Sequence, residues 1–105
     1  MYYIYIFEIK RWFMAEKKSI LIIEDETDLS KILRYNFMQE GFDVHTYEDG
    51  ESVINRIKKC NPSVILLDVM IPSKDGFEVC KEIKGHPECC HVPVLMMSTK
   101  DQEYN

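Results

Sequence analysis

Three apolar runs in this chain each end in groups able to do chemistry. Val64 to Leu67 lead straight into Asp68, Ser19 to Ile23 into Glu24-Asp25-Glu26, and Val92 to Met97 into Ser98. If these runs are neighbouring strands with a common direction, carboxylates and a hydroxyl from distant positions meet at one sheet edge. Two carboxylates about 4 Å apart repel by roughly 4 kcal/mol at an effective dielectric near ~20. Either a shared proton or a hard divalent cation relieves that cost. Mg2+ suits one or two carboxylates, a backbone carbonyl and several waters, with room left for a phosphate oxygen. A carboxylate beside such an ion can act as a nucleophile toward phosphorus, while the metal and a nearby hydroxyl stabilise the oxygens in transfer.

The elements that would position these groups follow from the pattern of the chain. The run ending in Asp68, bounded by Asn61-Pro62 and Pro72, reads as a strand buried on both faces of a parallel sheet. After Glu24-Asp25-Glu26, with Thr27 or Asp28 as N-cap, Leu29, Ile32, Leu33 and Phe37 follow helical spacing, and Gly41 ends that helix. Phe42 to Tyr47 alternate as a short strand. Asp49-Gly50 opens a second helix with Val53, Ile54 and Ile57 on its apolar face. A third helix follows Pro72 to Gly76 and carries Phe77, Cys80 and Ile83 as core, stopping at Gly85-His86-Pro87. Residues 100 to 105 are polar and fit the start of a further helix. The order β-α-β-α-β-α-β implies parallel pairing with right-handed crossovers, which places the C-terminal ends of all the strands on one edge. Glu24, Asp25, Asp68 and Ser98 therefore converge.

Four segments carry a resemblance to a known family: Ile22 to Glu26, Leu66 to Pro72, Asp75 to Cys80 and Pro93 to Ser98. In this order and spacing they resemble the receiver domain of two-component response regulators, from about Lys17 to Lys100. The resemblance implies an α/β, flavodoxin-like doubly wound parallel sheet. It also implies phosphotransfer signalling: Asp68 as phosphoacceptor, phosphorylated from the phosphohistidine of a sensor histidine kinase or a phosphotransfer protein. Asp25 is then a direct Mg2+ ligand, Glu24 acts through water, and the Met70 backbone carbonyl completes the protein's share alongside Asp68. Ser98 would hydrogen-bond the phosphoryl group, and Asp75-Gly76 would shape the loop. Such a domain is a signalling acceptor and not an enzyme.

The chain departs from the family after its fourth strand. The expected sheet order is 2-1-3-4, with the fifth strand and last two helices missing, so residues 17–105 read as an incomplete receiver domain. The family's fifth-strand Lys has no counterpart, because Lys100 is too near Ser98. An uncovered strand at 92–97 is prone to self-association. The competing reading is an interaction fragment without phosphotransfer competence. A phosphohydrolase with an aspartyl nucleophile ranks low, since its commonest family needs an acid where Met70 stands.

Composition narrows the classes further. With 18 acidic against 13 basic residues in 105, the net charge of −5 argues against non-specific binding to nucleic acid or an anionic membrane. Cys60, Cys80, Cys89 and Cys90 contain no C-x-x-C pair and read as reduced thiols of a cytoplasmic protein. His86 to His91 invites a zinc reading, but adjacent cysteines lack ligand spacing, and a loop with ordinary thiols is the better account. The apolar stretch from Met1 to Ile9 is too short to span a bilayer. Met14-Ala-Glu-Lys-Lys reads as an ordinary start leading into the first strand, which makes residues 1–13 an upstream extension and leaves residues 1–16, the N-terminal extension, outside the domain. The rival is an added strand or surface anchor, since Tyr3, Tyr5 and Phe7 alternate with Ile4 and Ile6.

Overall fold

The structure is a computed structural model that describes residues 18–72 and 74–98. The expectations for residues 1–16 and 100–105 lie outside the described residues. Within them the order is β1 (Ser19–Ile23), α1 (Thr27–Gln39), β2 (Asp43–Tyr47), α2 (Val53–Cys60), β3 (Val64–Asp68), α3 (Gly76–Gly85) and β4 (Val94–Met97). The four strands form one sheet in the order β2-β1-β3-β4, every pair parallel. This is the doubly wound arrangement expected from alternating strands and helices. Ile20 stands between Val44 and Val64, and Ile23 between Tyr47 and Leu67, so β1 is flanked along its length. All five of its residues are buried.

Two helices cover one face. Leu21 and Ile23 of β1 and Ile65 and Leu67 of β3 pack there with Val53 and Ile57 of α2 and Val79 and Ile83 of α3. On the other face the buried apolar residues among those described are Ile20, Ile22 and Val44, with Leu33, Phe37 and Phe42 half-buried against them. The Phe37 and Phe42 rings meet edge to face, their centroids 5.5 Å apart. Val64 and Leu66 are half-buried, so β3 is fully enclosed on one face only, contrary to the reading of its apolar run.

The helix boundaries and faces refine the sequence reading at several points. α1 is capped by Glu26, not Thr27 or Asp28: its carboxylate accepts the amides of Asp28 and Leu29 at 3.3 and 2.7 Å. Gly41 does follow the helix end, at φ +92°, a conformation open to glycine at little cost. Ile32 is 57% exposed although the spacing put it on the buried face. Leu33 and Phe37, four residues apart, take the sheet, and Ile32 stands about 100° around the helix from Leu33. Phe77 is exposed for the same reason, because Val79 and Ile83 form the buried stripe of α3. α2 begins at Val53, not at Asp49-Gly50, where the Asp49 carboxylate instead accepts the Glu51 amide in a turn. His86 to His91 forms the expected loop: His86 Nδ1 accepts the Glu88 amide at 3.1 Å, and Cys89 is buried in the core.

Candidate functional site

Glu24 and Asp25 follow the last residue of β1, and Asp68 is the last residue of β3. Because β1 and β3 are adjacent and parallel, one oxygen from each of the three carboxylates lies within 4.8 Å of the others. Glu24 and Asp68 are almost fully buried, and Asp25 is partly exposed at the mouth. Placing carboxylates out of water costs free energy unless hydrogen bonds or a cation compensate. Main-chain donors reach both buried acids: Glu24 Oε2 accepts the Glu26 amide at 3.1 Å, and Asp68 Oδ1 the Met70 amide at 3.0 Å. Three carboxylates at this separation form an all-oxygen donor set that fits a hard divalent cation, with Mg2+ the natural size for so small a set.

The backbone around Asp68 is fixed from three directions. Val69 donates to the Met97 carbonyl at 2.9 Å, tying the end of β3 to β4. Gly76 donates to the Val69 carbonyl at 2.9 Å, and Met70 forms an isolated bridge with Asp75. The Asp75 carboxylate accepts the Phe77 amide at 2.8 Å and so caps α3. A Cβ on Gly76 would lie 2.5 Å from the Asp68 carbonyl oxygen and 2.8 Å from Val69 Cα, closer than packed atoms come. Glycine at 76 is therefore a packing requirement that holds the loop against Asp68.

The expected site residues divide by how closely the structure gathers them. Glu24, Asp25 and Asp68 come together. Met70 is on the site loop, held through its amide to Asp68. Ser98 is exposed and follows Met97, the residue in register with Asp68, so it stands at the same edge. Lys74, the cation in the loop after Asp68, is paired with Glu82 of α3 at 3.0 Å, and that carboxylate pushes the ammonium pKa up. Among the described residues the acidic group is the one cluster of three or more potential metal ligands, and His86, Cys89, Cys90 and His91 form none.

Sequence reasoning missed the residues that hold Glu24. Its amide donates to the Tyr47 carbonyl at 2.9 Å, the last rung between β1 and β2. Arg56 of α2 lies 4.3 Å over the Tyr47 ring and pairs with Asp49. Tyr47 ending an alternating strand was visible in the sequence, but nothing there linked it to Arg56. Beside Glu24 a cleft of about 180 Å3 is lined by Thr27, Ser30, Lys31, Arg34, Thr46 and Tyr47, with Glu48 at its rim.

The comparisons with known proteins agree with this geometry. The response regulator receiver domain family matches residues 20–105. The chain is 39% identical over 88 residues to the alkaline phosphatase synthesis transcriptional regulatory protein PhoP of Bacillus subtilis (strain 168). That match covers 84% of this chain but 36% of PhoP, so the chain spans about a third of that relative's length. Among solved structures it is similar to a putative response regulator from Chloroflexus aurantiacus, with TM-score 0.73, 28% identity, and 77% of this chain and 66% of that one covered. The N-terminal domain of a response regulator receiver protein from Methanoculleus marisnigri gives TM-score 0.73 and 27% identity over 81% of this chain and 69% of its own. Strand order, acidic edge and family match coincide: this chain belongs to the response regulator receiver domain family.

Proposed function

We propose that Asp68 is the phosphoacceptor of this receiver domain, with a sensor histidine kinase or a phosphotransfer protein as donor. The observation that carries the reading is the meeting of Glu24, Asp25 and Asp68 from two adjacent strand ends, with Asp68 fully buried. A carboxylate oxygen of Asp68 attacks the phosphorus of a phosphohistidine. The P–N bond breaks, the imidazole nitrogen leaves with the bonding pair, and an acyl phosphate forms on Asp68. Mg2+, held by Asp25, Asp68 and the Met70 carbonyl with Glu24 behind them, would supply charge neutralisation of the phosphoryl oxygens.

The chain's own residues prepare the step. The Met70 amide on Oδ1 orients the Asp68 carboxylate, and the Gly76 amide on the Val69 carbonyl ties the loop back to the end of β3. Ser98 supplies a hydroxyl to the transferred group from the end of β4. Lys31 and Arg34 line the cleft beside Glu24, where they present positive charge to an approaching partner. The four cysteines are free of disulfides, which supports action in the reducing cytoplasm. No helix among the described residues is long and apolar enough to cross a membrane.

The test is intact mass after incubation with a small-molecule phosphodonor and Mg2+. One phosphoryl adduct on the chain, absent from Asp68→Asn, is expected. A folded chain that gains no adduct, or an Asp68→Asn variant that gains it equally, contradicts the reading.

A further inference from the structure

Arg56 stands apart from the acidic centre, yet its contacts lead back to it. Its side chain is only 19% exposed. One guanidinium nitrogen donates to the Asp49 carbonyl at 2.6 Å, and another pairs with the Asp49 carboxylate at 3.0 Å. Those two bonds hold the plane 4.3 Å over the Tyr47 ring. Asp49 is itself fixed by the Glu51 amide at 2.9 Å, so the guanidinium is anchored to a formed turn and not to a mobile side chain. Cys60, one helical turn beyond Arg56, packs with Tyr47 at the margin of the main core. Tyr47 is therefore gripped through its ring by α2, and its carbonyl accepts the amide of Glu24.

We propose that Arg56 is a positioning residue for the acidic centre: by clamping Tyr47 at the end of β2, it fixes the Glu24 main chain and so the Glu24 carboxylate. The inference rests on the metal-binding reading given above. Electrostatics alone makes the opposite statement about the same residue. The field of a cation, even one paired with Asp49, disfavours a second cation on the same domain, so removing its charge should leave Mg2+ binding unchanged or tighten it. Positioning says that removing it loosens Mg2+. The sign of the change separates the two.

The test uses the 105-residue chain with Arg56→Gln, Arg56→Lys and Tyr47→Leu, each first shown to melt cooperatively. Two quantities are measured: the Mg2+ dissociation constant from amide resonances, and hydrogen exchange at the Glu24 amide without metal. A cation–π contact at a largely buried guanidinium is worth at least about a threefold factor in an equilibrium constant, which sets the scale of the effect. Arg56→Gln should raise the Mg2+ constant by roughly that factor and speed exchange at Glu24 comparably. Tyr47→Leu should do the same without changing the charge. Arg56→Lys, which keeps a cation over the ring, should fall between Arg56→Gln and the unaltered chain. An unchanged or tighter Mg2+ constant in Arg56→Gln overturns the proposal. If the unaltered chain binds no Mg2+, the metal-site reading fails, and exchange at Glu24 alone upholds or overturns the clamp.

Discussion

The two faces of the sheet are built to different depths. Against α2 and α3 lies a continuous core that runs from Leu21 and Ile23 through Ile65 and Leu67 to Ile71 and Val92. Against α1 the buried apolar residues among those described are Ile20, Ile22 and Val44, and no residue of α1 itself is buried. A single helix is about 10 Å wide, whereas four strands at about 4.8 Å spacing present a broader surface. Among the described residues, that face leaves Val64 and Leu66 half-open and Leu95, in register with Leu66, 57% exposed. Two of the acids nonetheless continue this side's alternation, Glu24 that of Ile20 and Ile22 and Asp68 that of Val64 and Leu66, and both are buried at the strand ends. Asp25 has the parity of Leu21 and Ile23 and is partly exposed.

The comparison can be broken by matched truncations. Ile83→Ala on the deep face should cost about 2–5 kcal/mol, as deletion of a fully buried aliphatic side chain does. Leu33→Ala, a truncation of the same size at a residue that α1 turns to the sheet, should cost less, about 1 kcal/mol, because its side chain is only half-buried. Chemical denaturation of both variants checks this, and equal losses would mean the faces are not so different.

The next largest effect is expected where the deep face meets the acidic edge. Gly76→Ala forces a methyl against the Asp68 carbonyl and the Val69 main chain, and should cost roughly 1–3 kcal/mol. It should also weaken Mg2+ binding, because the strained contact is with the backbone that carries Asp68. Denaturation and Mg2+ titration of the same variant separate the two losses.

A smaller change should go the other way. Ser52 starts α2 at φ +50° with no side-chain cap bond, a conformation that disfavours a Cβ. Ser52→Gly should raise stability by up to about 1 kcal/mol, read from the same denaturation midpoint. It sharpens the comparison by strengthening the deep face alone, with Mg2+ affinity unchanged.

Much of this was legible in the residues. The apolar runs ending in acid put Glu24, Asp25 and Asp68 on one edge, since a parallel sheet leaves those ends no other, while the order of the strands followed only from the resemblance to the receiver family. Spacing alone could not say which apolar residues each helix buries. Ile32 and Phe77 fit the helical period as well as their neighbours do, and only the docking angle of each helix turned them outward. The Glu26 cap escaped notice because Thr27 and Asp28 are the commoner capping types. The Arg56–Tyr47 contact joins a helix to a preceding strand across a turn, and no periodicity encodes such a pair.

Glu24, Asp25 and Asp68 at one sheet edge offer an oxygen donor set for a divalent cation. Thermal unfolding of the chain and of Asp68→Asn, each with and without Mg2+, tests this most directly. At about 100 times its dissociation constant, Mg2+ should add about 2.7 kcal/mol to the unaltered chain. Asp68→Asn, which removes one anionic donor, should gain less from Mg2+ than the unaltered chain. A cooperative melt of the unaltered chain that Mg2+ leaves unmoved, or an Asp68→Asn variant that gains as much as its parent, would contradict the account.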